Sequence, residues 1–256
     1  MLPEAFTKRM KTLLAEEYGA FLDSFSRPRA VALRLNPLKT QAPPDLSGFS
    51  LRPVPWEPCG FYYAPETRPG KSAYHEAGLY YLQEPSAMAP AVLLDAQPGE
   101  LVLDLCAAPG GKSTQIAAAL QGQGLLVCNE INPGRAKILA RNIERMGITN
   151  ALVLQEAPQR IAAAFPHCFD RVLVDAPCSG EGMFRKEEAA VTDWTEDTNA
   201  ICANRQLEIL TSAAAMLRPG GRLVYSTCTF SPVENEDVIS DFLWKNPDFS
   251  VEKLDI

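Results

Sequence analysis

The chain has 256 residues, 46% of them hydrophobic and 21% charged, enough to bury a sizeable core as one α/β domain with an appendage or as two small domains. Seven scattered cysteines without a CxxC pair argue against a disulfide framework and against structural zinc, and two isolated histidines give His-based catalysis little to work with. A net charge of -7 sits awkwardly with nucleic-acid binding, which draws on phosphate neutralisation, and no apolar run nears the roughly 18–20 residues that span a bilayer.

Residues 3–25 place Phe6, Met10, Leu13, Leu14, Tyr18, Phe21, Leu22 and Phe25 on one helical face. Charges of both signs in the same stretch exclude a signal peptide and point to a cytoplasmic protein. The first forty residues lean positive through Lys8, Arg9, Lys11, Arg27, Arg29, Arg34 and Lys39, which reads equally as a solvated helix face or as a surface for RNA. "AVALRLN" (30–36) reads as a strand. A long irregular span rich in proline and aromatics follows, from "PLKTQAPP" to "YYAPETRPGKS", and "EPSAMAPAVLLDAQPGE" brings a helix and a turn.

From Leu101 the texture changes. Short apolar strands at 101–106, 125–130, 151–156, 170–177 and 221–227 alternate with helices at about 112–121, 133–146, 196–217 and 233–245. That alternation predicts an α/β fold, a parallel sheet covered by helices on both faces, with ligands at the carboxyl ends of its strands.

The turn "CAAPGGKST" behind the first of these strands resembles a phosphate-binding loop. The pattern G-x-x-x-x-G-K-[ST] nevertheless fails, because Cys106 stands where the first glycine belongs. A nucleoside approaching Gly110 and Gly111 fits better, with Glu130 at the end of the next strand to hold ribose hydroxyls. This pairing suits NAD as well as S-adenosylmethionine (SAM). Cys178 in "DAPCSGEG" and Cys228 in "YSTCTFSPVENE" lie just beyond strand ends, where a thiol can act as a nucleophile if nearby positive charge lowers its pKa. Lys112 and a bound sulfonium are the sources of such charge. Cys128 and Cys202 read as small buried residues. "GEGMFRK" (180–186) reads as a loop in which Phe184 could stack on a base and Arg185 and Lys186 could meet phosphate.

"DLCAAPGGKSTQIA", "DAPCSGEGMFRK" and "YSTCTFSPVENE", in this order, closely resemble the RNA cytosine carbon-5 methyltransferases of the Nol/Nop/Sun family, nearest to those acting on small-subunit ribosomal RNA. "LRLNPLK" and "QEPSAM" extend the likeness toward the N-terminus. The resemblance implies a Rossmann-like class I SAM-dependent methyltransferase sheet in residues 85–256, behind a small N-terminal α+β accessory domain in residues 1–84 that contacts RNA. It implies SAM as cofactor and no metal. The backbone of Cys106, Ala107, Ala108, Pro109, Gly110, Gly111 and Lys112 would cradle SAM, Glu130 would take its ribose, and Arg135 would add a contact. Glu156 is the nearest acid to a position where the family usually carries Asp. Asp175 would lie by the target base and the methyl donor, Cys228 would be the nucleophile, and Cys178 would help release the product. The expected partner is RNA, the 30S subunit or its 16S RNA ahead of transfer RNA, met by a monomer without membrane contact. The chain stops at what should be a sixth strand, so an incomplete sheet and a missing basic RNA-binding region are expected.

Overall fold

The computed structural model describes residues 2–39 and 45–253; part of the proline-rich span (40–44) and the last three residues of the expected sixth strand lie outside them. The N-terminal elements are α1 (Glu4–Leu14), α2 (Tyr18–Ser26), β1 (Ala32–Leu35), β2 (Arg52–Val54), β3 (Glu57–Tyr62), α3 (Ala73–Glu76), β4 (Tyr80–Leu82) and α4 (Pro85–Leu94). Then follow β5 (Leu101–Asp104), α5 (Gly111–Leu120), β6 (Leu125–Asn129), α6 (Pro133–Arg145), β7 (Ala151–Leu154), α7 (Pro158–Ala164) and β8 (Phe169–Asp175). The last are α8 (Glu188–Thr192), α9 (Glu196–Met216), β9 (Leu217–Ser226) and α10 (Glu236–Lys245). None of these helices is long and apolar enough to cross a membrane.

The chain forms two compact units. One draws on the chain up to Arg29, on Ala176–Thr211 and on Ser226–Val251; the other on Ala30–Asp175 and Ser212–Tyr225. The second unit holds the expected parallel sheet, in the order β7-β6-β5-β8-β9. Strand β5 is paired on both sides, and its Val102 and Leu103 are fully buried in an apolar run that ends at Asp104. Ile116, Ala117 and Leu120 of α5 and Leu139 and Ile143 of α6 pack against it.

The span expected to be irregular carries β2 and β3, which with β4 beyond it join β1 in an antiparallel sheet ordered β2-β3-β1-β4. Two of these strands are three residues long, and Pro53 sits in the edge strand β2, where a missing N–H costs no ladder bond. Such strands exist because β1 pairs with β3 and β4, and their local sequences carry no signal of their own. The single helix expected over 3–25 is two helices, broken at Ala15, which takes a left-handed φ of 44°. Both contribute to one apolar cluster in the first unit, where Phe6 and Met10 meet Phe21, Phe25, Phe184 and Trp194.

Candidate active site

In the second unit the chain leaves β5 at Asp104, turns, and enters α5 at Gly111. Gly110 sits at a φ of 111°, and a Cβ there would come within 3.1 Å of the Leu139 side chain. One on Gly111 would press to 3.3 Å from the Tyr81 ring. The left-handed φ calls for glycine at position 110, while at position 111 a side chain would make the Tyr81 ring yield by a few tenths of an ångström. The turn borders a cavity of about 230 Å³ whose walls include Tyr81, Gln83, Glu84, Asp104, Asp175 and Cys106–Pro109 with Gly111 and Lys112. The free N–H groups at the start of α5 and the cation of Lys112 make this end attractive to an anionic group.

Two carboxylates stand at the ends of adjacent strands here. Asp175 receives the Lys112 ammonium at 2.7 Å. Asp104 is 1% exposed; its Oδ2 accepts the Ser113 hydroxyl at 2.7 Å, and its buried Oδ1 has no partner among the described residues. Burial pushes the Asp104 carboxyl up from 3.8 to about 7, helped by the charge of Asp175 and opposed by Ser113 and Lys112. A carboxyl raised in the folded state binds its proton more tightly there than in the unfolded chain. Its contribution to stability is thus full below about pH 4 and is lost as pH rises through about 7. Urea unfolding of an Asp104→Asn variant should show a flatter decline between pH 5 and pH 8 than the parent; an unchanged slope would assign the decline to other groups.

In the first unit, Cys178 and Cys228 are both unoxidised, and their sulfurs lie 3.3 Å apart. The Cys228 N–H also points at the Cys178 sulfur, at 3.4 Å. Cys228 is exposed and Cys178 half-buried. The loops that carry them are stitched by Ala176 N–H to Ser226 C=O and Gly182 N–H to Cys228 C=O, both at 2.8 Å. A side chain on Gly182 would meet that carbonyl oxygen at 2.7 Å, so the second contact admits only glycine.

The family described as 16S rRNA methyltransferase RsmB/F matches residues 91–256, and the N-terminal domain of 16S rRNA methyltransferase RsmF matches residues 2–85. The chain belongs to the RsmB/F family. That family consists of SAM-dependent rRNA methyltransferases. Ribosomal RNA small subunit methyltransferase F of Erwinia tasmaniensis is 40% identical over 267 aligned positions, covering 99% of this chain and 56% of its own. The protein of the same name from Vibrio vulnificus is 42% identical over 249 positions, covering 93% of this chain and 53% of its own. The chain thus spans about half the length of the curated relatives it matches. A solved methyltransferase homologue from Pyrococcus horikoshii superposes with a TM-score of 0.81 at 32% identity, covering 95% of this chain and 79% of that one.

The family's expected residues fall as follows. Cys106, Ala107, Ala108, Pro109, Gly111, Lys112 and Asp175 line the cavity. Glu130 is buried and does not line it, accepting the Asn132 N–H at 2.9 Å and pairing with Arg135 at 3.1 Å. Arg135 also donates to the Ala108 carbonyl at 2.8 Å, tying α6 to the turn. Glu156 is half-exposed and paired with Arg160 at 3.1 Å. Cys128 and Cys202 are buried as expected of small core residues.

Three expectations need correcting. The Cys178 thiol is pushed up, not down, first by the neighbouring Cys228 and then by burial. Phe184 is buried against Phe6 at a centroid distance of 5.0 Å and is not presented for stacking; Arg185 donates to the Arg27 carbonyl. Several of the early cations are structural: Arg34 is buried, Arg9 pairs with Glu181 at 2.6 Å, and Lys39 donates to the Ala77 and Arg145 carbonyls. Lys8, Lys11, Arg27 and Arg29 are exposed, as is Lys39. Sequence reading missed Asp104, whose only signal was a carboxylate closing an apolar strand beside a glycine turn.

Proposed function

We propose that the full-length protein transfers a methyl group from SAM to carbon-5 of a cytosine in 16S ribosomal RNA, through a covalent cysteine–pyrimidine intermediate. The observation that carries this reading is the pair of reduced thiols 3.3 Å apart, in a chain of the RsmB/F family. Methylating a base nitrogen or a ribose hydroxyl needs only a positioned lone pair. Carbon-5 of cytosine has none, and a thiol supplies what it lacks.

When bound, SAM offers its methyl group as an electrophile on a positively charged sulfur. The turn from Cys106 to Lys112 would hold its methionine portion, where the unpaired Oδ1 of Asp104 suits a cationic group. Glu130 would take the ribose hydroxyls, with Arg135 and Glu156 toward the adenine side.

The Cys228 thiolate adds to carbon-6 of a cytosine turned out of its stack, and the ring becomes an enamine whose carbon-5 is nucleophilic. Asp175, held by Lys112, hydrogen-bonds the ring-nitrogen and amino edge and steadies the charge that develops. Once carbon-5 carries the methyl group, its proton must leave so that the bond from carbon-6 to sulfur can break. Cys178 takes that proton, and Cys228 departs as thiolate. The raised pKa of Cys178 fits this order, because its largest cause is Cys228. When the Cys228 sulfur is bonded to carbon that influence falls away while burial remains, and Cys178 serves as base after giving its own proton to water.

The full-length Cys178→Ala protein, incubated with SAM and 16S RNA, is expected to accumulate a protein–RNA adduct that survives denaturation. Adding Cys228→Ala should abolish it. An adduct that persists without Cys228 and requires Cys178 would reverse the two roles, and methylation without any adduct in either variant would sink the covalent route.

A further inference from the structure

Two carboxylates with no part in the chemistry above are fully buried in the unit that carries the thiols: Glu181 and Glu234, each at 0% exposure. Each belongs to one cysteine loop and bonds the other. Glu181 follows Cys178, yet its Oε2 accepts the N–H of Phe230, two residues beyond Cys228, at 3.1 Å. Glu234 follows Cys228, yet its Oε2 accepts the N–H of Ser179, next to Cys178, at 2.9 Å, and its Oε1 accepts the Ser179 hydroxyl at 2.5 Å.

The crossing is reinforced from α9 and α1. Asn199 stands between the carboxylates, its amide 2.8 Å from Glu181 and 2.7 Å from Glu234. Gln206 donates to Glu234 at 2.9 Å and to the Pro177 carbonyl at 3.1 Å, on the residue before Cys178. Arg9 reaches Glu181 at 2.6 Å.

Burying two acidic groups in one network is costly, and apolar residues of similar volume would hold two loops together at least as well if stability were the only demand. What a carboxylate offers is an acceptor for several donors at fixed angles, each donor anchored to a different segment. Here the anchored segments are the residues flanking the two sulfurs.

We propose that Glu181 and Glu234 are positioning residues that hold the two thiols at the separation the two-cysteine reaction needs, with Arg9 tying the N-terminal helix into the same clasp. The purpose rests on the cytosine carbon-5 reading, while the geometry does not. The two carboxylates divide the work. Losing Glu181 releases the Cys228 loop and slows bond formation to carbon-6. Losing Glu234 releases the Cys178 loop and slows proton removal.

Glutamine is the discriminating replacement, because it keeps the volume and turns one acceptor atom into a donor facing donors. In full-length Glu181→Gln, the single-turnover rate of adduct formation on 16S RNA should fall tenfold or more. In Glu234→Gln, adduct should form and persist, its release slowed at least tenfold, with the KM for SAM within about twofold of the parent in both. A second readout needs no RNA. Phenylarsine oxide condenses with two adjacent thiols to a cyclic dithioarsenite and one water, and its affinity for the reduced protein reports their separation. Both variants should bind it at least tenfold more weakly than the parent, while Cys178→Ala should not form the cyclic product at all.

Parent-like arsenical affinity in both glutamine variants overturns the proposal. Weakened arsenical binding with unchanged adduct kinetics also overturns it, since thiol spacing would then be irrelevant to the reaction. Weakened arsenical binding in a protein that never forms an adduct, even as Cys178→Ala, counts against the cytosine reading and leaves the clasp standing as a structural device only. If a glutamine variant does not fold, Arg9→Met, which keeps an unbranched apolar side chain beside Phe6 and Trp194 but removes the guanidinium from over their rings, tests the same clasp from the helix side. Parent-like arsenical affinity there overturns the link to α1.

Discussion

Replacing Cys228 by alanine in the full-length protein should lower the rate of methyl transfer to 16S RNA by on the order of 10⁴-fold or more, with SAM affinity within about twofold. The size follows from what the thiolate does on the proposed path. Without addition at carbon-6, carbon-5 is a weak nucleophile, and positioning beside a sulfonium cannot replace the missing electrons. SAM affinity should hold because the residues of the cavity, Asp104, the Cys106–Lys112 turn and Asp175, belong to a different part of the chain. Cys178→Ala should differ in kind: one round of addition proceeds and turnover stops. Stopped-flow transfer of labelled methyl, read beside equilibrium SAM binding, separates the cases. A Cys228→Ala protein that retains more than about a tenth of the parent rate would remove the thiol from the chemistry.

Arg34→Met should cost about 3–5 kcal/mol of stability, because it removes one member of a buried ionic and hydrogen-bonded set and leaves the others unanswered. Arg34 is on β1, 2% exposed, and donates to the Gly111 carbonyl at 2.8 Å, the Thr114 hydroxyl at 2.7 Å and the Gln83 side chain. Burial lowers its pKa to about 10, offset by the nearby Glu57, so it stays charged at neutral pH. Methionine would fill the space and take the guanidinium away from four acceptors, on Gln83, Gln115, Thr114 and Gly111, the last keeping the Thr114 hydroxyl at the start of α5. SAM affinity should therefore fall together with stability. Urea titration of parent and variant at pH 7 measures the first and calorimetric titration the second. A loss below about 1 kcal/mol would mean that water reaches those acceptors.

The parallel sheet was readable in advance because its central strands β5, β6 and β8 are apolar runs that are largely buried. Val102 and Leu103 need no distant information to be recognised as core. The turn at Gly110 was readable for a related reason, since backbone geometry there restricts the residue type at the position itself. Strands β2 and β4 were not, because each is only three residues long, β2 with a proline in it, and becomes strand only when β3 or β1 offers a partner. Nor was the loop from Gly180 to Lys186, whose composition is that of a solvent-exposed turn. Phe184 and Glu181 are buried in it because α1 brings Phe6 and Arg9 to them.

By itself the sequence determined the chain's family, the α/β sheet and the identity of the two thiols, because these depend on local patterns and on residue chemistry. Only the tertiary structure decided which charges are spent internally. Arg34, Arg9 and Lys39 look like surface cations in a linear reading, and each finds its acceptors at residues far along the chain. The same holds for the separation of the sulfurs. Cys178 and Cys228 are fifty positions apart, and their 3.3 Å contact is set by backbone and carboxylate bonds between loops that no local pattern records. Hydrogen bonds of this kind are made between distant donors and acceptors, so their partners are known only once the chain has folded.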